Sequence, residues 1–289
     1  MKRWLKLAAR SIRRAAGEAR LRRFRPERFH AIWVISAARN AEDDVGRHLE
    51  SIHDQAYDRA RFRHVLIDDA SSDSTLDRAR SFQRRHPEAP LEIVANPERR
   101  GGCENYTRGF RRAPPGSIVL QVDGDDWLPD DRVFAYLNMV YHDLDVWMTY
   151  NSWAFPDGRP SVNSEPVPDR VIAENAYRDY PWISSHLHSF RRELFDFVRE
   201  ESLIDPETGK YWMSSVDQAQ FLPMLELAGR HAIHLDRVMY VYNLRESSII
   251  NTQRERQAAA ARRVRAMPRY KPLERLNFAV PPLASQGSR

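Results

Sequence analysis

The chain has 289 residues, 42% of them hydrophobic, with 45 Lys/Arg against 40 Asp/Glu and one cysteine. That size supports a substantial core in one large α/β domain or a domain with an elaborated second half, and the lone Cys103 excludes an intramolecular disulfide. No run approaches the roughly 20 apolar residues of a membrane span, no signal-peptide core opens the chain and no Cys/His zinc spacing occurs, so the body is expected in a reducing, cytoplasmic compartment. Residues 1–28 hold 11 Lys/Arg and two Glu, leaving 34 basic and 38 acidic residues in a mildly acidic remainder. In this basic leader Trp4, Leu5, Ala8, Ile12, Ala15 and Ala19 recur at helical spacing. Three readings stand: a helix lying on the anionic inner face of a membrane, a helix packed on the body, or a solvated tail. Nucleic acid is a poor partner, because aromatic interleaving is sparse and no recognition motif follows.

Strands and helices then alternate. His30–Ser36 reads as a buried strand, Asp43–Gln55 as a helix and Arg63–Ile67 as a second strand ending in Asp68 and Asp69. A helix capped by Ser72 or Asp73 runs to Arg85, Leu91–Ala95 is the third strand, Cys103–Arg112 a helix and Ser117–Val122 the fourth strand. This β-α order predicts a mainly parallel central sheet with helices on both faces, with ligands gathered beyond the carboxyl ends of the strands. Those ends carry Ser36 to Asn40, Asp68 and Asp69, Asn96, and the cluster Asp123, Asp125 and Asp126 around Gly124. Three carboxylates in four residues repel one another unless a cation or hydrogen-bond donors compensate, and hard oxygen ligands suit Mn²⁺ or Mg²⁺. The alternative is a solvated acidic turn before a helix. Gly124 lets backbone approach a ligand, whereas Gly101 and Gly102 read either as a close approach or as an ordinary turn.

The succession of strand, SAARN, LIDDASSDST, NPERRGG and VLQVDGDDWLPDD resembles the nucleotide-binding half of family 2 glycosyltransferases, which have the Rossmann-like GT-A fold. HSFRRELF at 188–195, VDQAQFLPMLELAG at 216–229 and MYVYN at 239–243 extend the likeness over about 30–250. The resemblance implies transfer of a sugar from a nucleotide diphosphate donor, usually with inversion, and a divalent metal. It assigns Asp123 and Asp125 to the metal, with Asp123 also placed toward the donor ribose. Asp68 matches the acid that accepts a hydrogen bond from the base, which favours uracil. Ser36 and Arg39 occupy the base-and-diphosphate loop, and Asp69 either joins them or does structural work. Asp217 matches the second residue of the family's Glu-Asp pair, whose first position is Val216 here, and so is the expected general base. Its other reading is a helix-cap acid.

The chain departs from the family in two places. Asn105-Tyr106-Thr107 stands where many members have Ala-Arg-Asn, and Tyr242-Asn243-Leu244-Arg245 stands where many have a metal-binding histidine. Asn243 or Arg245 is then a replacement contact, or the metal leans on donor phosphates and water. Trp147, Tyr150, Trp153, Tyr180, Trp182, His186 and His188 form an aromatic, histidine-rich insertion, from which Trp182 and His186 are the expected acceptor contacts. The organisation read from sequence is a leader at 1–28, a donor half at 29–135, an acceptor half at 136–250 and a helical tail at 251–289. The overall reading is a membrane-associated glycosyltransferase that takes a UDP-sugar and extends a surface glycan or glycolipid. A nucleotide- or glycan-binding scaffold and a nucleotidyltransferase are the competing readings.

Overall fold

The computed structural model describes residues 2–161, 164–244 and 254–283, with side chains from Ala9 onward. Its centre is a seven-stranded sheet in the order β3-β2-β1-β4-β6-β5-β9. The strands are β1 (Ile32–Ala38), β2 (Phe62–Asp68), β3 (Leu91–Ala95), β4 (Ile118–Gln121), β5 (Met148–Ala154), β6 (His188–Arg191) and β9 (Ala232–Val241). A short hairpin of β7 (Ile204–Asp205) and β8 (Lys210–Tyr211) lies apart. The first four strands run parallel, and their ends fall within one or two residues of the sequence expectation. β6 is antiparallel to both β4 and β5, so the segment entering it arrives at the edge where β4 ends: Gln121 pairs with His188. This reversal, which periodicity does not disclose, places the aromatic insertion beside the acidic cluster.

Strand parity divides the core. Ile35, Val65, Ile67 and Val119 point to a face covered by α4 (Gly102–Arg112), α7 (Val216–Ala228) and the C-terminal helix α8 (Arg254–Ala266). Ile32, Val34, Leu66 and Leu120 point the other way, toward α1 (Lys2–Arg23), α2 (Val45–His53), α3 (Thr75–Arg85) and α5 (Val133–Val140). A short α6 (Asp169–Ala173) packs near the end of α7. Of the expected tail at 251–289, residues 251–253 and 284–289 lie outside the described residues, as does Arg245.

The leader is a helix docked on the body. Arg13 chelates Asp236, Arg10 reaches Ser152 Oγ, Glu18 pairs with Arg237, and Leu21 is buried. Gly17 permits the contact with α5, because a Cβ there would stand 2.6 Å from Tyr136 Oη. Surface helices normally turn their apolar stripe inward. α1 does the reverse: its docked side is mostly ionic, while Ile12 is 70% exposed and Ala15, Ala16 and Ala19 face solvent.

Candidate active site

The carboxyl ends of β1, β2, β3 and β4 meet along one edge. Register places Ala38 beside Asp68 and Asp68 beside Ala95, and Gly124 N–H donates to Ala37 O at 3.0 Å. Gly124 is required here by the protein's own backbone, since a Cβ would lie 2.5 Å from that of Ala38. The glycine thus has a role inside the fold, the close approach of the turn to β1. Gly101, at φ +85°, is likewise excluded from carrying a side chain by Met213 Sδ.

The acids are sorted by their partners. Asp126 is buried; it accepts Tyr240 Oη–H at 2.5 Å and Asn243 N–H at 2.7 Å, and burial, with the charges of Asp125 and Asp123, pushes its carboxyl well above the usual range. It therefore braces the turn. Asp123 accepts Tyr106 Oη–H on Oδ1 and donates its backbone N–H to Tyr240 Oη at 3.2 Å. Asp125, half-buried, accepts Asn243 Nδ2–H on its backbone carbonyl at 3.2 Å. No group of three or more His, Cys, Asp or Glu among the described residues forms a complete metal cage. The donor set fits a hard divalent ion all the same, because Mn²⁺ and Mg²⁺ take one or two carboxylates and fill the rest with water and substrate phosphate.

Asp68 is buried, with Oδ2 accepting Ser71 N–H at 3.1 Å and Oδ1 without a partner among the described residues. An unsatisfied buried carboxylate oxygen is costly and calls for a donor. Asp69 is engaged on both oxygens by Arg100 N–H at 2.7 Å, Gly101 N–H at 2.9 Å and Asn96 Nδ2–H at 3.1 Å. Burial raises its carboxyl, but these hydrogen bonds and the neighbouring Asn105 amide outweigh it and hold the group ionised. Asp69 thus does the structural work, fastening the 96–101 loop. Arg39 is exposed and binds the carbonyls of Asp69 and Ala70 at 2.7 and 2.9 Å, tying the exits of β1 and β2 together.

Ser36 corrects a sequence expectation. Its hydroxyl lies 3.0 Å from His64 Nε2, fully buried on the face toward α2, and does not line the edge. Strand parity carried the signal, for Ser36 follows Val34 by two residues. His53 Nε2 and His64 Nδ1 are 3.3 Å apart, and His48 Nδ1 donates to the carbonyl of Asp126 at 2.7 Å, so a histidine layer underlies the acidic turn.

Across the edge, α4 and α7 bring their first turns together: Gly102 faces Val216, and Gln220 Nε2–H donates to Cys103 O at 3.3 Å. Asp217 is the second residue of α7, behind Ser215, and the helix-cap reading does not hold. Burial raises its carboxyl; His186 and the Gln218 N–H act against that, the charge of Asp123 adds to it, and Trp182 eases it. Asp217 thus feels His186, Asp123 and Trp182. His186 is laid flat on Tyr240 and Tyr242, with ring centroids 4.8 and 5.4 Å away and planes within 10° and 12°. Trp182 Nε1 is buried without a closed hydrogen bond among the described residues. Trp147, Tyr150 and Trp153 are core residues, and His188 is buried against Phe221 at 3.6 Å. Sequence reasoning missed the site roles of Tyr106, Tyr240 and Arg265; the last donates to Gln218 Oε1 at 2.9 Å beside Asp217. The departure at Asn105-Tyr106-Thr107 was the signal for the first, and nothing local marks the others.

Comparison with known proteins gives these elements a context. The family model described as "Glycosyl transferase family 2" matches residues 33–198, more than half of the chain. A curated relative, "Uncharacterized glycosyltransferase YibD" of Escherichia coli (strain K12), is 27% identical over 159 residues, 55% of this chain and 44% of its own length. S. aureus TarS 1–349 in complex with UDP-GlcNAc superposes with a TM-score of 0.59 at 18% identity, covering 75% of this chain and 59% of that one. The mannosyltransferase PcManGT from Pyrobaculum calidifontis, in complex with GDP-Man and Mn²⁺, gives 0.54 at 20% identity, covering 84% and 66%. The chain thus spans less than half of that curated relative and about three fifths of the TarS fragment. The sheet order and the helices on both its faces are those of a GT-A architecture, and this chain belongs to glycosyltransferase family 2.

Proposed function

We propose that the chain is a metal-dependent inverting transferase that moves a sugar from a nucleoside diphosphate donor, with uridine as the base, to a hydroxyl of a glycan or glycolipid. The observation that carries this reading is the meeting of α4 and α7 at the end of β4: Tyr106 of α4 holds Asp123, Gly102 faces Val216 with Asp217 the next residue, and Asp68 Oδ1 is without a partner among the described residues. Uracil and guanine present a ring N–H to such an acceptor, whereas adenine and cytosine do not. Asp125 and Asp123 would hold Mn²⁺ or Mg²⁺ against the donor phosphates, where the ion offsets charge on the leaving diphosphate. The acceptor oxygen forms its bond to the anomeric carbon as the bond to phosphate breaks on the opposite side. Its proton passes to Asp217, whose raised basicity suits a base acting near neutral pH. Trp182 and His186 border Asp217, where an acceptor sugar would stack.

The outward apolar stripe of α1 and the basic excess of the leader support attachment to an anionic membrane surface. No helix among the described residues is long and apolar enough to cross a membrane. Vesicles of neutral lipid with and without phosphatidylglycerol test this: salt-sensitive binding to the anionic set alone is expected, and binding to neither set, or equally to both, sinks it.

The donor site is tested by thermal stabilisation with UDP, GDP, ADP and CMP, each with and without Mn²⁺, on wild type and Asp125→Ala. A Mn²⁺-dependent shift with UDP, absent in the variant, is expected. Release of free sugar or transfer product by wild type, lost in Asp217→Asn, separates an enzyme from a binding scaffold, and pyrophosphate release identifies a nucleotidyltransferase instead.

A further inference from the structure

We propose that Tyr106 is a positioning residue for Asp123: it commits one carboxylate oxygen so that only the other is presented to the metal–donor complex. This rests on the metal reading above. Tyr106 is 3% exposed, stacks on Phe110 at 5.9 Å, donates its hydroxyl to Asp123 Oδ1 and accepts Ala37 N–H at 3.4 Å. The helix that carries it is seated directly on β1: at Gly109, one turn later, a Cβ would stand 2.2 Å from Ile35 Cγ2. The backbone of Asp123 is held independently by Tyr240 Oη. Rotation of the carboxylate is therefore blocked at one oxygen, and Oδ2 makes no hydrogen bond among the described residues.

A carboxylate held this way ligates through one oxygen. Small octahedral ions near 2.1 Å accept that geometry, whereas Ca²⁺, at about 2.3–2.6 Å and with six to eight ligands, gains from a carboxylate free to turn both oxygens inward. Tyr106 thus acts on ion selectivity as well as affinity.

The test is a Mn²⁺ and Ca²⁺ titration of the UDP-dependent thermal shift on wild type, Tyr106→Phe, Asp123→Asn and the double variant. Loss of a hydrogen bond that orients a metal ligand typically weakens metal affinity by about 10–100-fold. Tyr106→Phe is expected to weaken Mn²⁺ at least about tenfold and to narrow the preference for Mn²⁺ over Ca²⁺. The double variant should be no worse than Asp123→Asn alone, since the two substitutions break one interaction. A Tyr106→Phe titration matching wild type for both ions, or additive losses, overturns the proposal. If wild type shows no metal-dependent shift, the metal reading fails and this one with it. Should Tyr106→Phe melt early, Gly109→Ala pushes the helix off β1 and withdraws the hydroxyl without deleting it; unchanged ion preference there is equally fatal.

Discussion

The two edges of the cleft are held in different ways. On the donor edge the strand exits are fastened by backbone hydrogen bonds: Asp69 by Arg100 and Gly101 N–H, Asp68 by Ser71 N–H, and Gly124 N–H by Ala37 O. On the acceptor edge, the base and its neighbours come from Trp182–His188, the start of α7 and the end of β9, joined mainly by ring faces and burial. Backbone fastening tolerates side-chain change and preserves one geometry for a constant ligand, a nucleoside diphosphate. Ring platforms can be resculpted one side chain at a time, which suits acceptors that vary.

The sharpest separation of the two edges is Asp217→Asn. General-base groups contribute about 10²–10⁴-fold, so transfer should fall by that factor while the metal-dependent nucleotide shift survives; a loss of nucleotide binding would show that the edges are not independent. Next is Arg178→Ala, which acts on the acceptor side alone. Arg178 and Glu226 form a buried bidentate pair at 2.6 and 2.9 Å, and Glu226 also accepts Tyr270 N–H while Arg178 binds Val264 O, so the pair anchors the segment after α7. Removing one member leaves a buried charge uncompensated, at a cost of about 3–5 kcal/mol in urea unfolding.

Asp125→Ala is expected to remove about 2.7 kcal/mol of stabilisation at ligand 100 times above its dissociation constant, with little change in the ligand-free melt. Tyr240→Phe tests the joint between the edges, because its hydroxyl serves both Asp126 and Asp123; about 1–3 kcal/mol should be lost as buried polar groups go unpaired. The smallest effect per group is acid sensitivity under the donor edge. Burial pushes His48 and His53 down to about 4 and His64 further. A histidine whose folded value lies below its unfolded one contributes in full above about pH 6.5 and loses that contribution as pH falls toward the folded value. The unfolding free energy from urea titration should therefore hold from pH 8 to 7 and drop by about 1 kcal/mol per histidine at pH 5.5. A flat profile would mean that the layer opens to water.

Much of the donor edge was legible. Alternating apolar runs located β1 to β4, and the acids fell at strand ends because polar ligand-facing groups must follow buried strands. Within that edge, side-chain direction was less legible: Ser36 and Asp69 look like ligands in a linear reading and prove to serve the core and a loop. The acceptor edge was legible only as a composition. Trp182 and His186 were singled out among seven aromatic and histidine residues, but the reversed strand β6 that seats them has no signature in local periodicity. The leader shows the same division, since its helical spacing was evident and its inverted docking was not.

Sequence alone determined the strand-and-helix succession, the family and the identity of the acidic and basic groups, because hydrophobic period and short motifs are local properties of the chain. Only the tertiary structure decided which carboxylate oxygens remain open, which tyrosines hold them and which face of α1 meets solvent. Those outcomes depend on contacts such as Tyr106 to Asp123 and Tyr240 to Asp126, where partners distant in the chain meet only after the sheet has closed around them.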